Sequence, residues 1–351
     1  MSYSKIFYIS FIAMGISSIT QWCEIPVGNT TLWWILRAIF LLFFFRFFIC
    51  HVHRTPKVPI LVFLFYVVCM SVYGALYKTE NYWDWKLLVD NFMIFILPLA
   101  AYSVNEEYLV PKGINFWIKW AWVPLIILWP FLGSDAFGRY LAPFTLLALM
   151  LPLLNKRGFL LMLGAFFITF YYGFESRSDV LKFSVSILLG ICLWLPYLNR
   201  WLRNLIKPAM WSFLLAPFLL LELALTGTFN IFEIEEELGI ENQYMMKCSL
   251  EDRENISALS DTRTFLYVEE IESAIVGNYY IWGNSPARGY LSLAFGQGAD
   301  EDFGTLRGER QSCEVSILNV FNYFGLVGCF LYFCIFIVAA YKAVYKSENR
   351  Y

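Results

Sequence analysis

The chain has 351 residues, of which 59% are apolar, 20% aromatic and only 15% charged. An ordinary soluble domain carries about 25% charged residues, so a soluble globular chain is excluded. The net charge of −2 hides a split: residues 230–314 hold 17 of the 28 acidic residues and 6 of the 26 basic ones, a local charge of −11 against +9 for the remainder.

Apolar runs of bilayer-crossing length recur along the sequence, and in lipid such runs must be helical because the backbone has no other partners. Ten spans are expected, near 6–20, 32–50, 59–77, 87–103, 114–132, 137–154, 158–174, 180–197, 209–227 and 316–341. The fold class is therefore an all-α polytopic membrane protein. Residues 1–229 form the first nine spans, 230–315 one large external loop, and 316–351 the last span and tail. The first run lacks a small-residue cleavage site and reads as a retained span.

The connections alternate in character. One set carries Lys5, Arg54, Lys57, Lys112, Lys156, Arg157, Arg200, Arg203, Lys207, Lys342, Lys346 and Arg350. The other carries acids: Glu24, Glu80, Asp84, Asp135, Glu175 and the long loop. The positive-inside rule then puts both termini in the cytoplasm and the loop outside. Trp22, Trp33, Trp34, Tyr82, Trp83, Trp85, Tyr171 and Tyr172 gather on the outer side. They suit an interfacial aromatic belt, and aromatic faces also suit sugars.

Most cysteines lie inside apolar runs and act as small hydrophobes. Cys248 and Cys313 fall on the loop side, where either a disulfide or two free thiols fits. Within the loop, Ser260-Asp261 reads as an N-cap, followed by a helix over 262–276 with an apolar face at Phe265, Val268, Ile271 and Ile275. This amphipathic helix is too short to span and belongs at the interface. Gly283-Asn284-Ser285-Pro286-Ala287-Arg288-Gly289 reads as turns.

Charge at membrane depth marks function by default. Arg139 opens the sixth span, Arg177 sits in a tight outer connection, and Arg263 and Arg288 lie in the loop. All four fall on one side, where guanidinium forks suit phosphate or diphosphate. The alternative for each is a lipid-headgroup anchor or an ion pair with a nearby acid. Arg37, Asp90 and Glu222 suit ion pairs inside the bundle. His51 and His53 lie on the basic side, so no outer histidine base and no zinc site is expected. No nucleotide-binding glycine motif occurs, and the acidic soluble part argues against nucleic acid.

Several segments together resemble the O-antigen polymerase and O-antigen ligase family of bacterial inner-membrane proteins. They are Gly138-Arg139 with Ala142-Pro143, Ser176-Arg177-Ser178 with Leu181, and Arg263 with the turn Gly283-x-x-Pro286-x-x-Gly289. The fourth is Glu314-Val315-Ser316-Ile317-Leu318 with Gly325-x-x-Gly328. The resemblance covers roughly residues 135–335. It implies a GT-C-like fold and a metal-independent, cofactor-free, inverting glycosyltransferase. The donor is a glycan on undecaprenyl pyrophosphate, and the acceptor is a sugar hydroxyl of another lipid-linked repeat unit. A polysaccharide chain-length regulator and membrane lipids are the further partners. Arg139, Arg177, Arg263 and Arg288 would hold the pyrophosphate, with Arg177 and Arg263 stabilising its departure. Glu314 would take the acceptor proton where many members place His-Asn, a departure that weakens a ligase assignment. A flippase or transporter of lipid-linked sugars is the competing class, expected to show midplane charges or broken spans.

Overall fold

The computed structural model describes residues 3–23, 29–51, 58–99, 116–149, 154, 156–172, 177–195, 204–205, 207–212, 214–216, 219, 264–292, 307–313, 315–342 and 345. Among these the chain is mostly helical and divides into two compact units. One comprises Met1–Pro56, Leu97–Lys207 and Glu348–Tyr351; the other comprises Lys57–Ile96 and Pro208–Ser347.

The first unit contains α1 (Tyr3–Thr20), α2 (Thr30–His51), α5 (Trp122–Leu128), α6 (Ser134–Leu141), α7 (Phe144–Leu149), α8 (Lys156–Tyr172) and α9 (Arg177–Trp194). Its core joins Ile19, Leu125, Phe137, Tyr140, Phe144, Met162, Ala165 and Phe183. Two expected spans lose helical hydrogen bonds here, although Ala121 and Ala142 keep helical dihedrals. The run over 114–132 turns at Ala121 and ends in a 3-10 turn, Trp129–Phe131. The run over 137–154 breaks between α6 and α7. Pro124 and Pro143 explain both breaks, since each lacks the N–H and crowds the carbonyl four residues earlier.

The second unit contains α3 (Val58–Tyr77), α4 (Tyr82–Phe95), α10 (Thr264–Val276), β1 (Tyr290–Leu291), β2 (Glu309–Arg310) and α11 (Ser316–Tyr341). The strands pair antiparallel, Tyr290 opposite Arg310. Helix α4 starts five residues earlier than the hydropathy expects. Asn81 caps it by accepting from the Asp84 N–H, and Asp84 returns the contact, a capping box that fixes the start. Helices α3 and α11 pack through Phe63, Val67, Met70, Val320, Tyr323 and Phe324.

Three described helices are long and apolar enough to cross a membrane: Thr30–Cys50, Val58–Tyr77 and Ser316–Tyr341. Tyr8–Thr20, Phe116–Phe131 and Val180–Cys192 are apolar but shorter. The chain thus has membrane-protein character, and the ninth expected span, 209–227, lies largely outside the described residues.

Candidate functional site

Helix α11 is not one helix. At Gly325 the backbone turns to φ +63° and ψ −166°, which breaks the ladder. In a continuous helix the N–H groups of Leu326 and Val327 would donate to Asn322 and Tyr323. Here Leu326 donates to the Tyr280 carbonyl (2.9 Å) and Val327 to that of Ile281 (3.1 Å). The freed Asn322 carbonyl accepts from Asn284 N–H (2.7 Å) and that of Tyr323 from Ser285 N–H (3.2 Å). Two helical bonds are exchanged for four bonds to an inserted loop segment, so no group freed by the exchange is stranded.

That segment, Tyr279–Gly289, runs along α3 as well. Tyr66 Oη donates to the Trp282 and Phe324 carbonyls at 2.7 and 3.2 Å. Gly74 lets Ser285 approach, for a Cβ there would lie 2.7 Å from its Oγ. Asn91 of α4 donates to the Pro286 carbonyl (2.9 Å). Tyr66 is eleven residues before the end of α3 at Tyr77, about 16 Å of helix. The segment therefore runs back from the Tyr77 end of α3 to the middle of a membrane-length helix, the geometry of a re-entrant segment. Irregular backbone at such depth is tolerated only where protein or a cavity covers it. The glycine motifs of the sequence acquire their reason here. Gly283 (φ +90°) abuts Tyr323 and Phe324, Gly325 abuts Ile281, and Gly289 abuts Arg310, all backbone to side-chain-free backbone.

Where the segment emerges, charges collect. Arg288 donates from Nε and Nη2 to the Glu309 carboxylate, the shortest bond being 2.6 Å, and its Nη1 lies 3.5 Å from Glu80. Arg307 bonds Asp84 at 3.0 Å and Glu80 at 2.6 Å. Asp84 is buried and Glu80 exposed. Lys78 stands beside this group, and burial together with the Arg288 charge lowers its pKa.

Helix α10 is the expected loop helix, but it is turned over. The residues it buries are Leu266, Glu269, Glu270, Ser273 and Ala274, spaced as one helical face. Ile275, expected to pack, is 61% exposed, and Ile271 is half-buried. Phe265 and Val268 have side chains outside the described residues. Glu269 accepts from Ser292 Oγ (2.8 Å), whereas neither carboxyl oxygen of the fully buried Glu270 has a hydrogen-bond partner among the described residues. Burial, and next the adjacent Glu269, pushes the Glu270 pKa up to about 9.

The sequence-based site residues fare differently. Arg139 is exposed on α6, its guanidinium 3.9 Å over the Trp22 ring, a cation–π contact. Arg177 opens α9, with its side chain outside the described residues. Arg263 and Glu314 also lie outside them, as does Cys248, while Cys313 is a buried thiol. Arg288 is described, and its fork is engaged by Glu309. Sequence reading passed over Glu269, Glu270, Arg307 and Glu309. The two buried glutamates carried one signal, their spacing with Leu266 and Ser273. No family model, curated protein or solved structure matches the chain.

Proposed function

We propose that the chain is a glycosyltransferase of the bacterial inner membrane that polymerises O-antigen or a related surface polysaccharide. The observation that carries this reading is the place of Arg288 at the mouth of the turn, its fork held by the two oxygens of Glu309, which a diphosphate would have to replace. The same geometry receives the oxygens of a diphosphate. The acidic one-sided loop and the order of the arginine and glycine motifs support it as well.

In the reaction, the bond from the anomeric carbon to the diphosphate oxygen breaks, and undecaprenyl diphosphate departs with the electron pair. The acceptor hydroxyl oxygen forms the new glycosidic bond from the opposite face, inverting the centre, and Glu314 takes its proton. The resemblance implies that Arg139, Arg177, Arg263 and Arg288 would supply positive charge to the leaving group. Purified protein given lipid-linked repeat units should produce a ladder of longer glycans without metal or nucleotide. Arg177→Ala and Arg263→Ala should abolish long chains while the protein stays inserted; wild-type lengths in both would overturn the assignment. Transfer onto lipid A-core alone would make it a ligase.

The break in α11 favours a second reading, transport of lipid-linked sugars, because transporters place binding at discontinuous spans. Movement of repeat units across vesicles with no ladder would select it.

A further inference from the structure

The buried face of α10 fastens both ends of the re-entrant segment. Ser273 Oγ and Tyr279 Oη share a 2.7 Å hydrogen bond at one end, and Ser273 Oγ accepts from Leu291 N–H (2.9 Å) at the other. Glu269 adds the bond from Ser292. Between these fastenings lies Glu270, fully buried, its two oxygens unpartnered among the described residues. The titratable groups around it are, with one exception, acids or groups that are neutral when protonated. On its own helix stands Glu269; the segment offers Tyr279 and β1 offers Tyr290. Beyond β2 lies Cys313, and α11 presents Tyr323 and Cys329. The exception is the cation Arg310 of β2, which acts on Tyr290 and Cys313.

A carboxylate in such surroundings forces one of two outcomes: it keeps a proton, or the packing opens to admit water. Opening means parting α10 from α11 and β1, and that unfastens the segment. We propose that Glu270 is a proton-binding site that latches the Tyr279–Gly289 segment into the gap in α11, seated with the proton bound and released as it leaves. The raised affinity of Glu270 for a proton agrees with this, since the seated form binds it more tightly than an open form would. The inference stands independently of the glycan reading, because it concerns the seating of the segment and not turnover.

The test is hydrogen exchange, read by mass spectrometry on the full chain in nanodiscs and corrected for intrinsic rates. The amides followed are those of Asn284, Ser285, Leu326 and Val327, compared between wild type, Glu270→Gln and Glu272→Gln, an exposed control on the same helix. Wild type and the control should lose protection as pH rises from about 5, by up to about tenfold per unit, levelling near 9. Glu270→Gln should stay protected throughout, and Glu270→Leu serves as the neutral replacement if glutamine impairs insertion. A flat wild-type profile would overturn the proposal, and so would neutral variants that follow wild type at every pH.

Discussion

At the scale of single residues, the glycines separate structural need from tolerance. Gly325 and Gly308 both adopt left-handed backbone, φ +63° and +65°. A Cβ at Gly325 would drive into the Ile281 carbonyl, whereas one at Gly308 meets nothing within 4 Å. Backbone strain alone costs about 1–3 kcal/mol. Gly308→Ala should therefore lower the melting temperature slightly, and Gly325→Ala severely, with loss of protection at Leu326 and Val327. Equal melting shifts for the two would show that the segment is not seated against α11. Glu270 gives a second residue-scale expectation, in stability. Its folded pKa lies above the ordinary carboxyl value, so its stabilising balance is complete below about 4.3 and is lost as pH rises toward about 9. Glu270→Gln should match wild type in acid and exceed it increasingly as pH rises from about 5 to about 9, by about 1.4 kcal/mol per pH unit at most. Thermal melts across that window measure it.

Among elements, the informative case is α10. Its position was legible, because a cap followed by helical periodicity names a helix whatever it packs on. Its buried face was not. Hydropathy assigns Ile275 inward, yet the structure turns Glu269, Glu270 and Ser273 inward and leaves Ile275, Val276 and Trp282 exposed. The rule fails because Glu269 and Ser273 have work inside, accepting from the Ser292 hydroxyl and the Leu291 N–H of the adjacent segment. The break in α11 was hidden for a related reason. A glycine in an apolar run reads as ordinary span, and only the partner segment, distant in sequence, shows that its hydrogen bonds are replaced. The charged clasp is the third element-scale feature. Removing Arg307 leaves the buried Asp84 with the Glu80 and Asn81 N–H groups as its described donors. Arg307→Ala should destabilise by about 1–3 kcal/mol, and Asp84→Asn should recover part of that loss in the double variant. Additive effects in denaturation would show the pair to be uncoupled.

For the whole molecule, the decisive property is the separation of charge. The sequence expectation puts the acidic stretch and the basic connections on opposite sides, from the Lys/Arg bias of the connections. The structure gives three helices of membrane length, and two of them, α3 and α11, flank a segment that descends from the acidic stretch. That descent constrains orientation independently of charge. Tyr66 and Gly325 sit about 16 and 14 Å from the helix ends nearest the loop, so the two helices agree on one depth. A segment bonded there can be reached only from the side where α3 ends and α11 begins. The loop and the turn after Tyr77 must then occupy the same compartment, and the end of α11 the opposite one. Reporter fusions after Lys78, within residues 240–255 and after Tyr351 test this. A reporter active only outside the cytoplasm should work at the first two places and stay silent at the third. Activity at the first and third together would require α11 not to cross, and the re-entrant reading would fail with it.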